Sequence, residues 1–119
     1  MNPAARSVNV FGIYLLLLGL GLLVAPNVLL SLVGLPYTAE VWIRVVGMVV
    51  SFLGVYYRVA AAANLTTFFL ATVLVRASVP LFCLMFVLAG WTEWPMMLFA
   101  LVDAAGAAWT WTALKSGSA

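Results

Sequence analysis

An aspartate, Asp103, lies near the middle of an apolar stretch of about twenty residues, 95–114. A carboxylate in hydrocarbon is costly and is kept when it is paired or used. Paired means a nearby cation; used means taking up a proton or a cationic solute. Arg76 is the candidate partner, in the preceding apolar stretch. Counted from the helix ends at about 1.5 Å per residue, Arg76 lies ~18 Å and Asp103 ~16 Å from the same side. Consecutive spans run antiparallel, so the two charges are expected to meet near the midplane. Pro80 has no N–H to give the carbonyl of Arg76, four residues back. A bend is expected there, with a polar carbonyl beside the guanidinium. Thr72, one turn before Arg76, is the candidate supporting hydroxyl.

That pair admits two chemistries. A buried ion pair would fix helix register. Alternatively Asp103 binds a proton or cationic solute, with Arg76 tuning it or holding an anion. Either group can also face a partner subunit. All of these need the same residues, so spacing leaves them open. A second pair, Glu40 and Arg44, has i, i+4 spacing with the acid nearer the N-terminus, a favourable helical order. It is expected to anchor the outer end of a span; the sharper alternative is an anion-attracting vestibule.

Other chemistries lack their residues. The chain has no histidine and one cysteine, Cys83, so the usual zinc and haem ligand sets and an intrachain disulfide are absent. Met48, Met85, Met96 and Met97 have no ligand spacing and read as core filling. No phosphate loop, nucleophile elbow or HExxH is present. Neither a metal nor a cofactor is expected, and the chain reads as non-enzymatic. Five cations against three anions give a net charge of +2, with no basic patch for nucleic acid.

The elements that must position these groups follow from composition. The chain has 119 residues, 67% of them hydrophobic and 7% charged, with a mean hydropathy of +1.23. It cannot cover a soluble surface with polar groups. Four apolar spans are predicted, at about 8–25, 40–60, 65–89 and 95–114, each long enough to cross ~30 Å of hydrocarbon as helix. Asn64 is the expected N-cap of the third. The fold class is therefore an all-α, four-helix transmembrane bundle in a single domain, 1–119. The first span reads as a retained anchor rather than a cleaved leader. Residues 27–39 are too apolar for a free loop and too short to span. A short interfacial or re-entrant helix fits, and a greasy loop filling the bundle mouth is the plainer alternative. Ser116–Ala119 reads as a flexible tail.

Arg6, Arg58 and Lys115 fall at one end of this arrangement, which places both termini in the cytoplasm by the positive-inside rule. Tyr37, Trp42, Trp91 and Trp94 mark the outer interface, and Tyr56, Tyr57, Trp109 and Trp111 the inner one. Gly12 and Gly19 are a heptad apart in span one. Gly47 and Gly54 are a heptad apart in span two, beside Ser51. Small residues at that spacing keep a seam open. Matching depths predict an antiparallel seam with Gly12 opposite Gly54 and Gly19 opposite Gly47.

The blocks Gly12-Ile-Tyr-Leu-Leu-Leu-Leu-Gly19, Glu40-Val-Trp-Ile-Arg-Val-Val-Gly47, Gly54-Val-Tyr-Tyr57 and Leu101-Val-Asp-Ala-Ala-Gly106 resemble small four-helix bacterial inner-membrane proteins of the BphX or DoxX type. The resemblance covers most of the chain. It implies a fold and a location in the bacterial inner membrane, and no defined substrate. Small multidrug transporters have a similar length, but they depend on a first-helix glutamate, which this chain lacks. The leading functional expectation is a non-enzymatic membrane component in the lipid bilayer, self-associating as a homo-oligomer or serving as an accessory subunit to a membrane-protein partner. The alternatives are a small-solute or proton-coupled transporter using Asp103 and Arg76, and a membrane enzyme acting on lipid or quinone. No small-molecule ligand can be named from the residues.

Overall fold

The computed structural model describes residues 1–117. The chain forms five helices: α1 (Pro3–Val24), α2 (Pro26–Val33), α3 (Trp42–Ala62), α4 (Thr66–Leu88) and α5 (Met96–Gly117). Among the described residues there is no strand. Four of the helices, α1, α3, α4 and α5, are long and apolar enough to cross a membrane. The protein is a multi-pass, all-helical membrane bundle.

Local chemistry sets the ends. The Asn2 side chain accepts the Ala5 N–H at 2.8 Å, with Pro3 in the first turn, so α1 starts several residues before its apolar run. It is capped by Ala25, which leaves the helical conformation at φ −139° and ψ 65°, and Pro26 opens α2. The segment expected as a short helix or a greasy loop is helical over its first part. Gly34, at φ 85°, closes α2 in the left-handed conformation. The Leu35 N–H then returns to the Leu30 carbonyl at 2.8 Å, the pattern that satisfies a helix's last carbonyls. Asn27 clasps the rest: its amide donates to the Thr38 carbonyl and its carbonyl accepts the Thr38 N–H, each at 2.9 Å.

Two expectations about the boundaries need correction. The second span starts at Trp42, so Glu40 lies outside it. Asn64 does not cap α4; Leu65 stands at that position, with no side-chain cap. Asn64 instead takes φ 52° and turns the chain between α3 and α4, while its side-chain carbonyl accepts from the Asn2 amide at 3.0 Å. Asn tolerates that left-handed conformation better than most residues. At the other terminus α5 runs through Gly117, so the tail expected to be flexible is helical at Ser116; Ser118 and Ala119 lie outside the described residues.

Helix α1 is the organising element. It lies along α3 on one side and α5 on the other, and α5 pairs with α4. Consecutive helices α3 and α4 have little backbone contact; they meet near their shared turn, where Tyr57 and Phe68 stack edge to face at 5.5 Å. The α1–α3 contact is a glycine seam. A Cβ on Gly54 would stand 2.8 Å from the Gly12 carbonyl oxygen, and one on Gly47 would stand 2.6 Å from that of Gly19. A Cβ on Gly19 would run into the Ser51 backbone. Backbones this close leave no room for a methyl group and bring many weakly attractive atom pairs together, the packing that holds helices in lipid.

Candidate functional site

Arg76 is the largest fully buried side chain, 2% exposed. It sits in α4 where that helix faces α1, α3 and α5. Its Nε–H donates to the Thr72 carbonyl at 3.2 Å. Its Nη2 donates to the Thr72 hydroxyl at 3.0 Å and to the Thr110 hydroxyl at 2.9 Å. Thr110, on α5, is fully buried and lies 2.7 Å from the Ser7 hydroxyl of α1. Ser7 gives its only hydrogen to the Ala4 carbonyl at 2.7 Å, so Thr110 must donate to Ser7. Likewise Thr72 donates to the Phe69 carbonyl at 2.8 Å and is left as an acceptor for Arg76. Each hydroxyl therefore accepts one bond and donates one, which is its ordinary capacity.

The remaining nitrogen, Nη1, is buried without a hydrogen-bond partner. Aromatic faces stand in. The guanidinium carbon lies 4.6 Å from the Phe11 ring centroid and 5.6 Å from that of Tyr57, within the range of cation–π attraction. Gly106 makes room: a Cβ there would come 2.6 Å from the Phe11 ring and 3.0 Å from Nη1. Arg76 thus ties all four spanning helices together, with Thr72 from α4, Thr110 and Gly106 from α5, Phe11 and Ser7 from α1, and Tyr57 from α3.

Asp103 is not part of this knot, and the ion pair expected with Arg76 does not form. Among the described residues Asp103 has no hydrogen bond and no ion pair. The reason is the direction of the side chains. In a helix the Cα–Cβ bond leans toward the N-terminus. Helix α4 starts at the end that carries the chain termini, so Arg76 leans that way, onto Thr72. Helix α5 runs the other way, so Asp103 leans outward. Helix α5 also extends to Gly117, which raises Asp103 to ~21 Å from the terminal end against ~15 Å for Arg76. Counting from the end of the apolar run had hidden that offset.

Asp103 nonetheless faces the protein. It lies on the α5 stripe that includes the buried Ala100, Ala107 and Thr110, and is itself half-buried. Arg76, Tyr14, Tyr57 and the buried Cys83 are close enough to feel its charge without touching it. The result is a carboxylate turned toward neighbouring helices with every acceptor site open.

The outer pair also resolves differently. Glu40 precedes α3 and is exposed, so it cannot form the i, i+4 pair. Arg44 instead reaches across to α1, where its Nη1 donates to the Leu23 carbonyl and, at 3.3 Å, to that of Val24. These are carbonyls of the last turn of α1, where a cation is favoured. Pro80 lies within an unbroken α4, and Thr72 does lie beside Arg76. Sequence reasoning missed Ser7, Phe11, Tyr57, Gly106 and Thr110. A signal existed for two of them, since Gly106 and Thr110 follow Asp103 at helical spacings of three and seven on one face. Among the described residues no cluster of His, Cys, Asp and Glu could hold a metal ion.

Compared with protein-family models, curated proteins and solved structures, the chain matches none.

Proposed function

We propose that this is a small inner-membrane protein that takes up a proton or a small cation at Asp103 and passes it across the bilayer. The observation that carries this reading is the unpartnered, half-buried carboxylate on the inward stripe of α5. A carboxylate held in hydrocarbon needs a proton or a cation, and within this chain Arg76 is committed elsewhere. Arg76 supplies a fixed positive charge one level below, which keeps the site from holding a cation too tightly to release it. The orientation proposed has both termini cytoplasmic. It is supported by Arg6, Arg58 and Lys115 at one end and by the positive-inside rule. The experiment is flux into proteoliposomes under an imposed potential, with protons, Na⁺ and K⁺ tested in turn. One of these should enter faster than into empty vesicles, and Asp103→Asn should abolish the excess. Equal flux through the wild type and Asp103→Asn rejects the reading.

A second reading has its own support. Helix α4 is the least buried of the four spanning helices, and it leaves Leu74, Leu81 and Leu88 each more than 70% exposed. In the accessory or self-associating reading, that face meets another helix and Asp103 receives a cationic group from it. Co-purification at fixed stoichiometry, lost in Asp103→Asn, distinguishes this from transport.

A further inference from the structure

The terminal-end half of the α4–α5 contact leaves an apolar groove on the outside of the bundle. Its volume is about 440 Å³, and it is lined by Val73, Ala77, Ala104, Ala107, Ala108 and Trp111. Four of its six lining residues are alanines, whose short side chains leave the space between α4 and α5 unfilled. It runs along the helix direction, from Ala104 to Trp111, roughly 10 Å at 1.5 Å per residue. Trp111 closes its terminal end. One turn further on, the exposed Lys115 holds its ammonium 5.8 Å from the Trp111 ring. Among the described residues Lys115 has no carboxylate partner. Arg6 and Arg58 lie at the same end, and neither Glu40 nor Glu93 does.

We infer that this groove is a binding site for one anionic phospholipid, with an acyl chain in the groove and the phosphate on Lys115. The groove lies at hydrocarbon depth, so a lipid chain fits it and a polar solute does not. Lys115 lies where the headgroups begin, at the end of α5, and no carboxylate among the described residues pairs with it. A tryptophan between the two is the residue type that bridges hydrocarbon and headgroup. The juxtaposition of an axial groove, a tryptophan collar and an unpaired lysine one turn above selects for negative headgroups over zwitterionic ones. The site is independent of Asp103, which belongs to the inward stripe, and does not rest on the proposed function.

The test uses the full chain in nanodiscs made from equal parts phosphatidylglycerol and phosphatidylcholine. It is released into the gas phase with its retained lipids, which are identified by mass. Retained phosphatidylglycerol should exceed phosphatidylcholine by about fivefold, the preference that one lysine near an anionic surface provides. Lys115→Gln should bring the ratio to one. Ala108→Leu, which fills the groove, should reduce the number of retained lipids of either kind. Arg58→Gln, a cation at the same end on a different helix, should leave the ratio unchanged. Each variant is first checked for wild-type thermal unfolding, and Ala104→Val replaces Ala108→Leu if the latter does not fold. Equal retention of the two lipids by the wild type overturns the site. So does an enrichment that survives Lys115→Gln, or one that Arg58→Gln removes as effectively, since either would mean a diffuse basic end rather than a site.

Discussion

Of the five N–H groups on Arg76, three donate to Thr72 and Thr110, and the two on Nη1 rest against Phe11 and Tyr57. This asymmetry makes the threonines more sensitive to mutation than the arginine. Arg76→Met leaves no buried hydroxyl hydrogen unbonded, because Thr72 and Thr110 still donate to the Phe69 carbonyl and to Ser7. Thr110→Val removes an acceptor from a buried guanidinium and a donor from Ser7, and should cost about 1–3 kcal/mol in thermal or denaturant unfolding in detergent. In an Arg76→Met background the same Thr110→Val change should cost less, because only the Ser7 bond is then lost. An equal cost in both backgrounds would mean that Arg76 does not lean on Thr110. At the outer end the contrast runs between Arg44 and Glu40. Arg44→Gln should lose about 1 kcal/mol, the value of a cation on terminal carbonyls, while Glu40→Gln should change stability by no more than a surface substitution does. A matching loss in both would restore the ion pair that the helix boundary rules out. The identity of the charged residues was legible from sequence, since charges are rare in this chain. Their partners were not, because a two-residue change in where a helix begins decides whether Glu40 can reach Arg44.

At the scale of the helix, the α1–α3 seam is the firmest contact and the one most readily anticipated. Glycines at heptad spacing, placed at matching depths on two antiparallel helices, specify which faces meet and in what register. Gly47→Ala puts a methyl group 2.6 Å from the Gly19 carbonyl oxygen and the Leu23 nitrogen. It should destabilise the protein by about 1–3 kcal/mol through overpacking. Gly106→Ala pushes on Phe11 and Nη1 rather than on backbone. It should cost less in unfolding while weakening Arg76's hold on the ring. If Gly47→Ala leaves the melting temperature unchanged, the two helices are not in van der Waals contact there. The α4–α5 contact was less legible, because its polar contact comes from Thr110, which reads as an ordinary apolar-span residue until a buried arginine gives it something to accept. The short helix α2 was hidden for a related reason: eight residues carry too little periodicity to separate a helix from an apolar loop, and the Asn27–Thr38 clasp links positions eleven apart.

Taken whole, the molecule is a bundle in which α1 packs along α3 and α5, and α5 along α4, with one buried arginine touching all four spanning helices. Composition alone predicts this class, and the chain's few charges predict which end is which. Single cysteines introduced at Asn2 and Ser116, in a Cys83→Ala background, should label from the same side of a sealed vesicle. Labelling from opposite sides would mean an odd number of crossings. The sequence could not reveal that the two midplane charges pass each other, because that depends on the lean of side chains on antiparallel helices and on how far α5 runs past its apolar stretch. What sets Asp103 apart is that it has no hydrogen-bond or ion-pair partner among the described residues. The most direct test of this is the unfolding free energy of Asp103→Asn, alone and combined with Arg76→Met. The single variant should lose less than about 1 kcal/mol, with no recovery in the double variant. A loss of about 3–5 kcal/mol that the double variant restores is the mark of a broken buried ion pair, and would contradict it.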